Sequence, residues 1–491
     1  MNVSDTLGLL SPQLIMLATA FVLLIWDLFL KNKPSQKRYL PWLAIVGALL
    51  AFVVSQSLFW SGGKTLVLST VVVDRFALFF QFVAELGVVI VILGAISYMK
   101  DKTPYSGEFY ALLLVAAAAV MFMASATDLM LMYVSLEFLS ITSYILAGYL
   151  RGEAKSNEAS IKYFLYGAVA SAVMLYGISM LYGATGATSF KAVAEGLKNG
   201  SKLGWLGFPA IVLLLAGFGY KASLVPFHQW APDTYDGAPT PVAAFLATIS
   251  KAAGFAVLIR VFLEAMPSFQ AEWVAVLAGL SMVTMTLGNF VALKQTNVKR
   301  LLAYSSIAQA GYILTGVVAI MAAGTKLNFN GINGVLLYLF AYLFTNGGAF
   351  LTVAGIEEKT GSVDVSDYDG LVKRSPAAAA LLAVFLFSLA GIPSTGGFIG
   401  KFFVFGSVIE VGYYFLALVA ILNTVVAAAY YLKIVQAMFF KKPSAEGSFS
   451  LSRTLMIALV ISLIFVFWIG VFPNNFIRLA TQSSAAVLLV R

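Results

Sequence analysis

The sequence predicts an all-α, polytopic membrane protein of about fourteen transmembrane helices, and three observations carry the prediction. Of its 491 residues 60% are hydrophobic and only 11% are charged, against about 25% charged in soluble domains. The apolar runs approach or exceed the ~20 residues that a helix needs to cross hydrocarbon. They are continuous rather than alternating, which selects helices over the closed barrel, the other way to satisfy every backbone group in lipid.

Taken in order, the apolar runs place spans near 13–30, 40–60, 76–99, 109–125, 128–149, 160–183, 206–225, 241–264, 271–292, 300–321, 332–354, 378–403, 411–438 and 454–472. The N-terminal segment MNVSDTLGLLSPQLIM lacks the basic region of a signal peptide, so the first run reads as a retained span. The connection 184–205 carries FKAVAEGLKN, a candidate short surface helix. No connection is long enough for a soluble nucleotide-binding domain. No βαβ unit accompanies the glycines, which sit in apolar helices, so a dinucleotide fingerprint is excluded.

Charge gives the orientation. Loops joining odd- to even-numbered spans hold 18 lysines and arginines, Lys31, Lys100, Lys294 and Lys441 among them, and the opposite loops hold 8. The positive-inside rule then puts the first set in the cytoplasm and both termini on the outer face. The same bias accounts for the net charge of +9 without nucleic acid. The chain has no cysteine and one histidine, which excludes iron–sulfur clusters, thiolate zinc sites and bis-histidine haem. Any redox chemistry linked to it belongs on another subunit.

Five basic residues, Lys221, Lys251, Arg260, Lys401 and Lys433, fall inside or at the ends of spans. An ammonium at bilayer depth costs about 3 kcal/mol on insertion scales. Lys221 and Lys251 have apolar runs on both sides, which favours a functional reading over snorkelling to the interface. Lys401 ends its run, so there the anchor reading is stronger. Glu137 lies nine residues after Asp128, about 13 Å into its span. A lone carboxylate there takes up a proton, and a nearby lysine holds it ionised. His228 is seven residues after Lys221; if the helix survives Pro226 the two share a face, and the imidazole reads either as a proton relay or as a loop-packing residue. Tyr133, Ser135, Ser140, Tyr144, Ser305, Ser306, Gln309 and Tyr312 either bond helices together or line a water path. The acidic stretch EEKTGSVDVSDYDG reads as a solvated cytoplasmic loop.

Two segments read as broken helices, LAGFGYKASLVPFH and LAGIPSTGGFIGK. Each opens alike, becomes glycine- or proline-rich, then carries lysine. Five spans separate them, so they predict two repeats of opposite topology around a midplane site; the alternative is two plain kinks in a packed bundle.

The motifs KASLVPFHQWAPDTYDGAPTPVAAFLATISKAAGFAVLIR (221–260), VKRLLAYSSIAQAGYIL (298–314) and SLAGIPSTGGFIGKFFVF (388–405) are similar to those of the antiporter-like subunit N of bacterial NADH:quinone oxidoreductase, respiratory complex I. The resemblance runs the whole length. It implies helices 1–3 in 1–105, a first repeat in 106–268, a second, inverted repeat in 269–440, and a last helix and tail in 441–491. It implies proton translocation, with the family's helix-five glutamate at Glu137 and its lysines at Lys221, Lys251 and Lys401; His228 joins them as a relay candidate. NADH, FMN, iron–sulfur clusters and quinone are then held by partner subunits, and other complex I membrane subunits are its neighbours in a bacterial inner membrane. Several relatives have histidine where this chain has Gln309; glutamine stores no proton, so a relay there would run through water or Tyr312. The rival readings are an Mrp-type Na⁺/H⁺ antiporter subunit and the membrane subunit of a hydrogenase-type complex.

Overall fold

Helix starts and stops follow from local chemistry. Asp74 caps α3 (Arg75–Met99), Asp128 caps α5 (Leu129–Ala147), Asn297 caps α10 (Val298–Ala319) and Asn330 caps α11 (Gly331–Thr360), each accepting a first-turn backbone N–H at 2.8–3.0 Å. Such caps are worth about 1 kcal/mol each. Left-handed Gly186 ends α6 (Ala154–Thr185), and Gly361 ends α11, the conformation that glycine adopts without strain. The structure, a computed structural model, describes residues 2–30, 34–63, 65–198, 204–320, 330–443 and 445–488.

The remaining membrane elements are α1 (Ser11–Phe29), α2 (Leu40–Ser61), α4 (Ser106–Ser125), α7 (Gly207–Ala222), α8 (Thr240–Ala265), α9 (Gln270–Ala292), α12, split into Pro376–Ala390 and Gly396–Glu410, α13 (Tyr414–Phe440) and α14 (Arg453–Val471). Among the described residues twelve helices are long and apolar enough to cross a membrane; Gly207–Ala222 and Pro376–Ala390 are shorter apolar helices. These two are the ones the sequence marks as broken, and the break is why length alone does not count them as crossings.

The apolar windows of α8 and α11 are wholly buried and those of α3 and α10 nearly so, whereas α1, α2, α6, α13 and α14 leave most of theirs exposed. The exposed side chains are Phe21, Val53, Val169, Phe415, Val425 and their like, a surface suited to lipid. Lys251, Ser305, Ser306 and Gln309 lie on α8 and α10, at the centre of this packing. Small residues close the packing: a Cβ on Gly288 or Gly311 would meet the backbone of the facing helix at 2.7 or 2.6 Å, so α9 and α10 touch main chain to main chain.

Several expectations change. The acidic stretch is not simply a solvated loop. α11 runs through it to Thr360. Glu357 there accepts from Thr240 and, at 3.2 Å, from Tyr98, and Glu358 accepts from Ser97. Lys299, which the sequence places in a cytoplasmic loop, is buried in the first turn of α10, 3.7 Å from Glu357 and donating to the Ala238 carbonyl at 3.1 Å. The C-terminal tail forms an amphipathic helix, Asn474–Leu488, that docks on α11 through Ser484 and Asn333 at 2.5 Å. The surface helix expected in 184–205 is present as Phe190–Lys198. A short hairpin, Thr65–Val67 with Val71–Val73, was not foreseen.

Candidate functional site

α7 ends one residue after Lys221: Ser223 takes a left-handed φ of 59°, and the chain turns through 223–229 into a short helix, Trp230–Gly237. The freed backbone is satisfied locally, since Trp230 Nε1 donates to the Tyr220 carbonyl at 2.9 Å and Val225 N to Thr284 Oγ1 at 3.1 Å. The helix thus does not survive Pro226, and the shared face expected for Lys221 and His228 lapses. His228 lies half-buried in the turn, and its Nδ1 has no hydrogen-bond partner.

Lys221 is buried and donates to Ser140 Oγ on α5 at 3.2 Å. Glu137, three residues earlier on α5, accepts from Ser171 of α6. No direct ion pair within 4.0 Å joins Glu137 to Lys221 among the described residues; the lysine bonds Ser140, three residues along α5 from the carboxylate. The pairing inferred from sequence is therefore indirect.

Lys251 belongs to the fully buried α8. It follows directly on a π-helical turn, Leu246–Ser250, a local widening that recurs at functional sites. Its ammonium donates to the Ser306 carbonyl at 2.6 Å and to Ser306 Oγ at 2.5 Å on α10. One turn on, a Cβ at Gly254 would meet the Lys221 carbonyl carbon and the Ala222 nitrogen at 3.2 Å, so α8 presses directly on the end of α7 that carries Lys221.

Lys401 does not snorkel. Only 4% exposed, it turns back into the α12 break and donates to the carbonyls of Leu389 at 2.8 Å and Ala390 at 3.1 Å. These are last-turn carbonyls of the first half-helix, where orphan acceptors and the negative end of the dipole favour a cation. The Tyr312 ring lies 4.9 Å from the ammonium.

Between Lys251 and Lys401 runs a line of polar groups, of which the sequence reading named Ser305, Ser306 and Gln309 and missed Tyr431 and Tyr338. Ser305, next to the Lys251 acceptor, meets the Tyr431 hydroxyl at 2.5 Å; Gln309 Nε2 donates to Tyr431 and to the Leu389 carbonyl, each at 3.1 Å. Gln309 and Lys401 thus share one acceptor, and Tyr338 donates to Gln309 Oε1. The hydroxyls beside Gln309 belong to Tyr431 and Tyr338, not to Tyr312, whose oxygen accepts from Asn289 instead. The Tyr430–Tyr431 pair inside an apolar run was the available signal.

Ion pairs flank α8 at both ends. Asp233 of the short helix bonds Lys162 at 2.7 Å and Arg300 at 2.5 Å. Partial burial pushes the Asp233 carboxyl up, but these two cations outweigh it and hold the group below its usual value. Arg260, at the other end of α8 from Thr240, is held by both oxygens of Asp74 at 2.9 and 3.1 Å and by Glu264 at 3.0 Å, with almost no solvent exposure. Among the described residues no cluster of three or more histidine or acidic side chains could hold a metal ion.

The family model described as "NADH:quinone oxidoreductase/Mrp antiporter, TM" matches residues 126–427, which contain every site residue above except Asp74, Tyr430 and Tyr431. The chain is 40% identical to NADH-quinone oxidoreductase subunit N of Desulfitobacterium hafniense, over 99% of both chains. It is 39% identical to F(420)H(2) dehydrogenase subunit N of Methanosarcina mazei, over 98% of both. Among solved structures it is similar to a chain of respiratory complex I from Thermus thermophilus, at 32% identity and a TM-score of 0.78, covering 94% of this chain and 98% of that one.

Proposed function

Because the chain belongs to the subunit N family of NADH:quinone oxidoreductases, we propose that the line of buried lysines described above is the route by which it moves protons. The protein is an antiporter-like membrane subunit of complex I, a translocase that couples electron transfer from NADH to quinone with proton pumping. It assembles with other membrane subunits and through them with the redox arm. With no cysteine and one histidine, the chain holds none of the clusters; FMN, iron–sulfur centres, NADH and quinone belong to its partners.

The observation that carries the proton route is the polar line through the centre: Lys251 on Ser306, then Ser305, Tyr431 and Gln309, then Lys401 on the carbonyl that Gln309 also uses. Glu137 and Lys221 stand at its start, and His228, in the turn that follows α7, is kept as a relay candidate. The repeats are 106–268 and 269–440, after helices 1–3 in 1–105 and before the last helix and tail in 441–491. Each repeat then contributes one broken helix, and α8 bridges them. A unit charge moved to 4 Å from a buried lysine is worth about 4 kcal/mol at an effective dielectric near 20. A charge that arrives beside one of these lysines is thereby enough to switch its protonation. The subunit lies in a bacterial inner membrane with both termini on the outer face.

The test is Lys251→Met in the assembled complex. Methionine keeps the volume and removes the proton. Co-purified partners and normal NADH oxidation with collapsed proton uptake support the route. Undiminished uptake per NADH removes Lys251 from it.

A further inference from the structure

Outside the lysine line lies one buried acid that the route does not use. Glu85 is the eleventh residue of α3, about 15 Å from its start and so near the middle of the membrane. It is fully buried, as are Ser55 of α2 and Gln81 one turn earlier. Every other buried carboxylate among the described residues is compensated. Asp27 pairs with Lys37 at 2.9 Å, Asp74 with Arg260, and Asp128 accepts two backbone N–H groups and the Thr188 hydroxyl. Among the described residues Glu85 has no cation within ion-pair distance and no backbone donor. Its one donor is Ser55 Oγ, 2.7 Å from Oε1, and its Oε2 is buried without a partner.

Hydrogen counting and the missing cation together point to the neutral acid. Ser55 Oγ also lies 3.2 Å from Gln81 Oε1. The hydroxyl has one hydrogen and faces two acceptors. With Glu85 ionised, one acceptor loses its donor and an uncompensated charge sits in the membrane, the costliest arrangement for a buried group. With a proton on Glu85 the chain closes: carboxylic acid to Ser55 oxygen, Ser55 hydrogen to Gln81 oxygen. Both separations are O–H···O distances or close to them, the spacing a proton requires and a bare alkali cation would have to spread.

We propose that Glu85, with Ser55 and Gln81, is a second proton-binding site in this subunit, held as a neutral carboxylic acid and separate from the lysine line. The separation is geometric. Gly87, two residues on and therefore about 200° round the helix, packs on Ile249 of α8 and Leu343 of α11, whereas Glu85 faces α2. The body of α3 stands between the acid and Lys251, and the site lies beside α2, whose outer face is exposed apolar surface.

The test uses membranes that hold the whole complex. A lipid-soluble carbodiimide adds to protonated carboxyls in apolar surroundings and stays attached as an N-acylurea. Peptide mass spectrometry of the wild-type chain is expected to find the adduct on Glu85 at neutral pH, equally in sodium and in potassium buffer. Sodium protection overturns the proton as the ligand, and absence of the adduct at Glu85 from mildly acidic to mildly alkaline pH overturns the site. Infrared difference spectra of wild type against Glu85→Gln give the independent reading. Loss of a carboxylic-acid carbonyl band supports the proposal; loss of a carboxylate band refutes it.

Discussion

Lys401 offers the sharpest separation of a proton carrier from a helix anchor. Its ammonium supplies the donor for the Leu389 and Ala390 carbonyls. The Leu389 carbonyl keeps Gln309 as a donor and only the Ala390 carbonyl is left unmade, so Lys401→Ala is expected to destabilise the α12 break by about 1–3 kcal/mol before any effect on transport. Alanine alone is therefore a poor test. Lys401→Arg keeps a cation and N–H donors for the same two carbonyls, yet guanidinium releases no proton at any usable pH. Lys401→Glu places an acid against two carbonyl oxygens, which it can meet only by carrying a proton to donate. The expected order of proton uptake is wild type, then glutamate, then arginine and alanine lowest, with arginine assembling as well as wild type. The assay is acridine-dye quenching in inverted membrane vesicles, normalised to assembled complex and to NADH oxidation. Full pumping by the arginine variant would refute the carrier role and leave only the anchor.

Three further outcomes follow from the geometry. Glu137→Gln and Lys221→Ala are each expected to lower proton uptake, and the double variant to lose less than the sum; because the two charges make no ion pair within 4.0 Å among the described residues, the coupling should fall below the ~4 kcal/mol of a direct pair at 4 Å, and strict additivity in an assembled complex argues against coupling. Asp74→Asn retains a capping side chain for α3 but leaves the buried Arg260 with Glu264 alone, so thermal unfolding of the detergent-solubilised complex should begin at lower temperature, consistent with a loss of up to about 3–5 kcal/mol for a broken buried pair; an unchanged melting profile shows the pair to be dispensable. A C-terminal alkaline phosphatase fusion is expected to be active and a fluorescent-protein fusion dark; the reverse pattern overturns the outward orientation.

Much of this protein was legible in the chain itself. Lipid leaves an apolar backbone only the helix or the closed barrel, so continuous runs specify the architecture without any tertiary information. The cost of burying charge likewise singles out Lys221, Lys251, Lys401 and Glu137, because an unsupported ion at that depth is too costly to be incidental. What sequence could not supply is direction and partnership. Spacing placed His228 on the face of Lys221, but that inference needed an intact helix, and the chain leaves α7 at Ser223. Lys401 sits at the end of an apolar run, where snorkelling is the natural reading; only the fold shows the first half of α12 presenting its carbonyls to it. Lys299 and Glu357 read as loop charges, yet each is a helix-end residue that neighbouring helices enclose. Tyr431 joins Gln309 across 122 residues of sequence, and Ser55 reaches Glu85 from a different helix. Periodicity and hydropathy are properties of one segment, whereas the hydrogen bonds that give these groups their chemistry are made between segments, and those pairings exist only once the helices have packed.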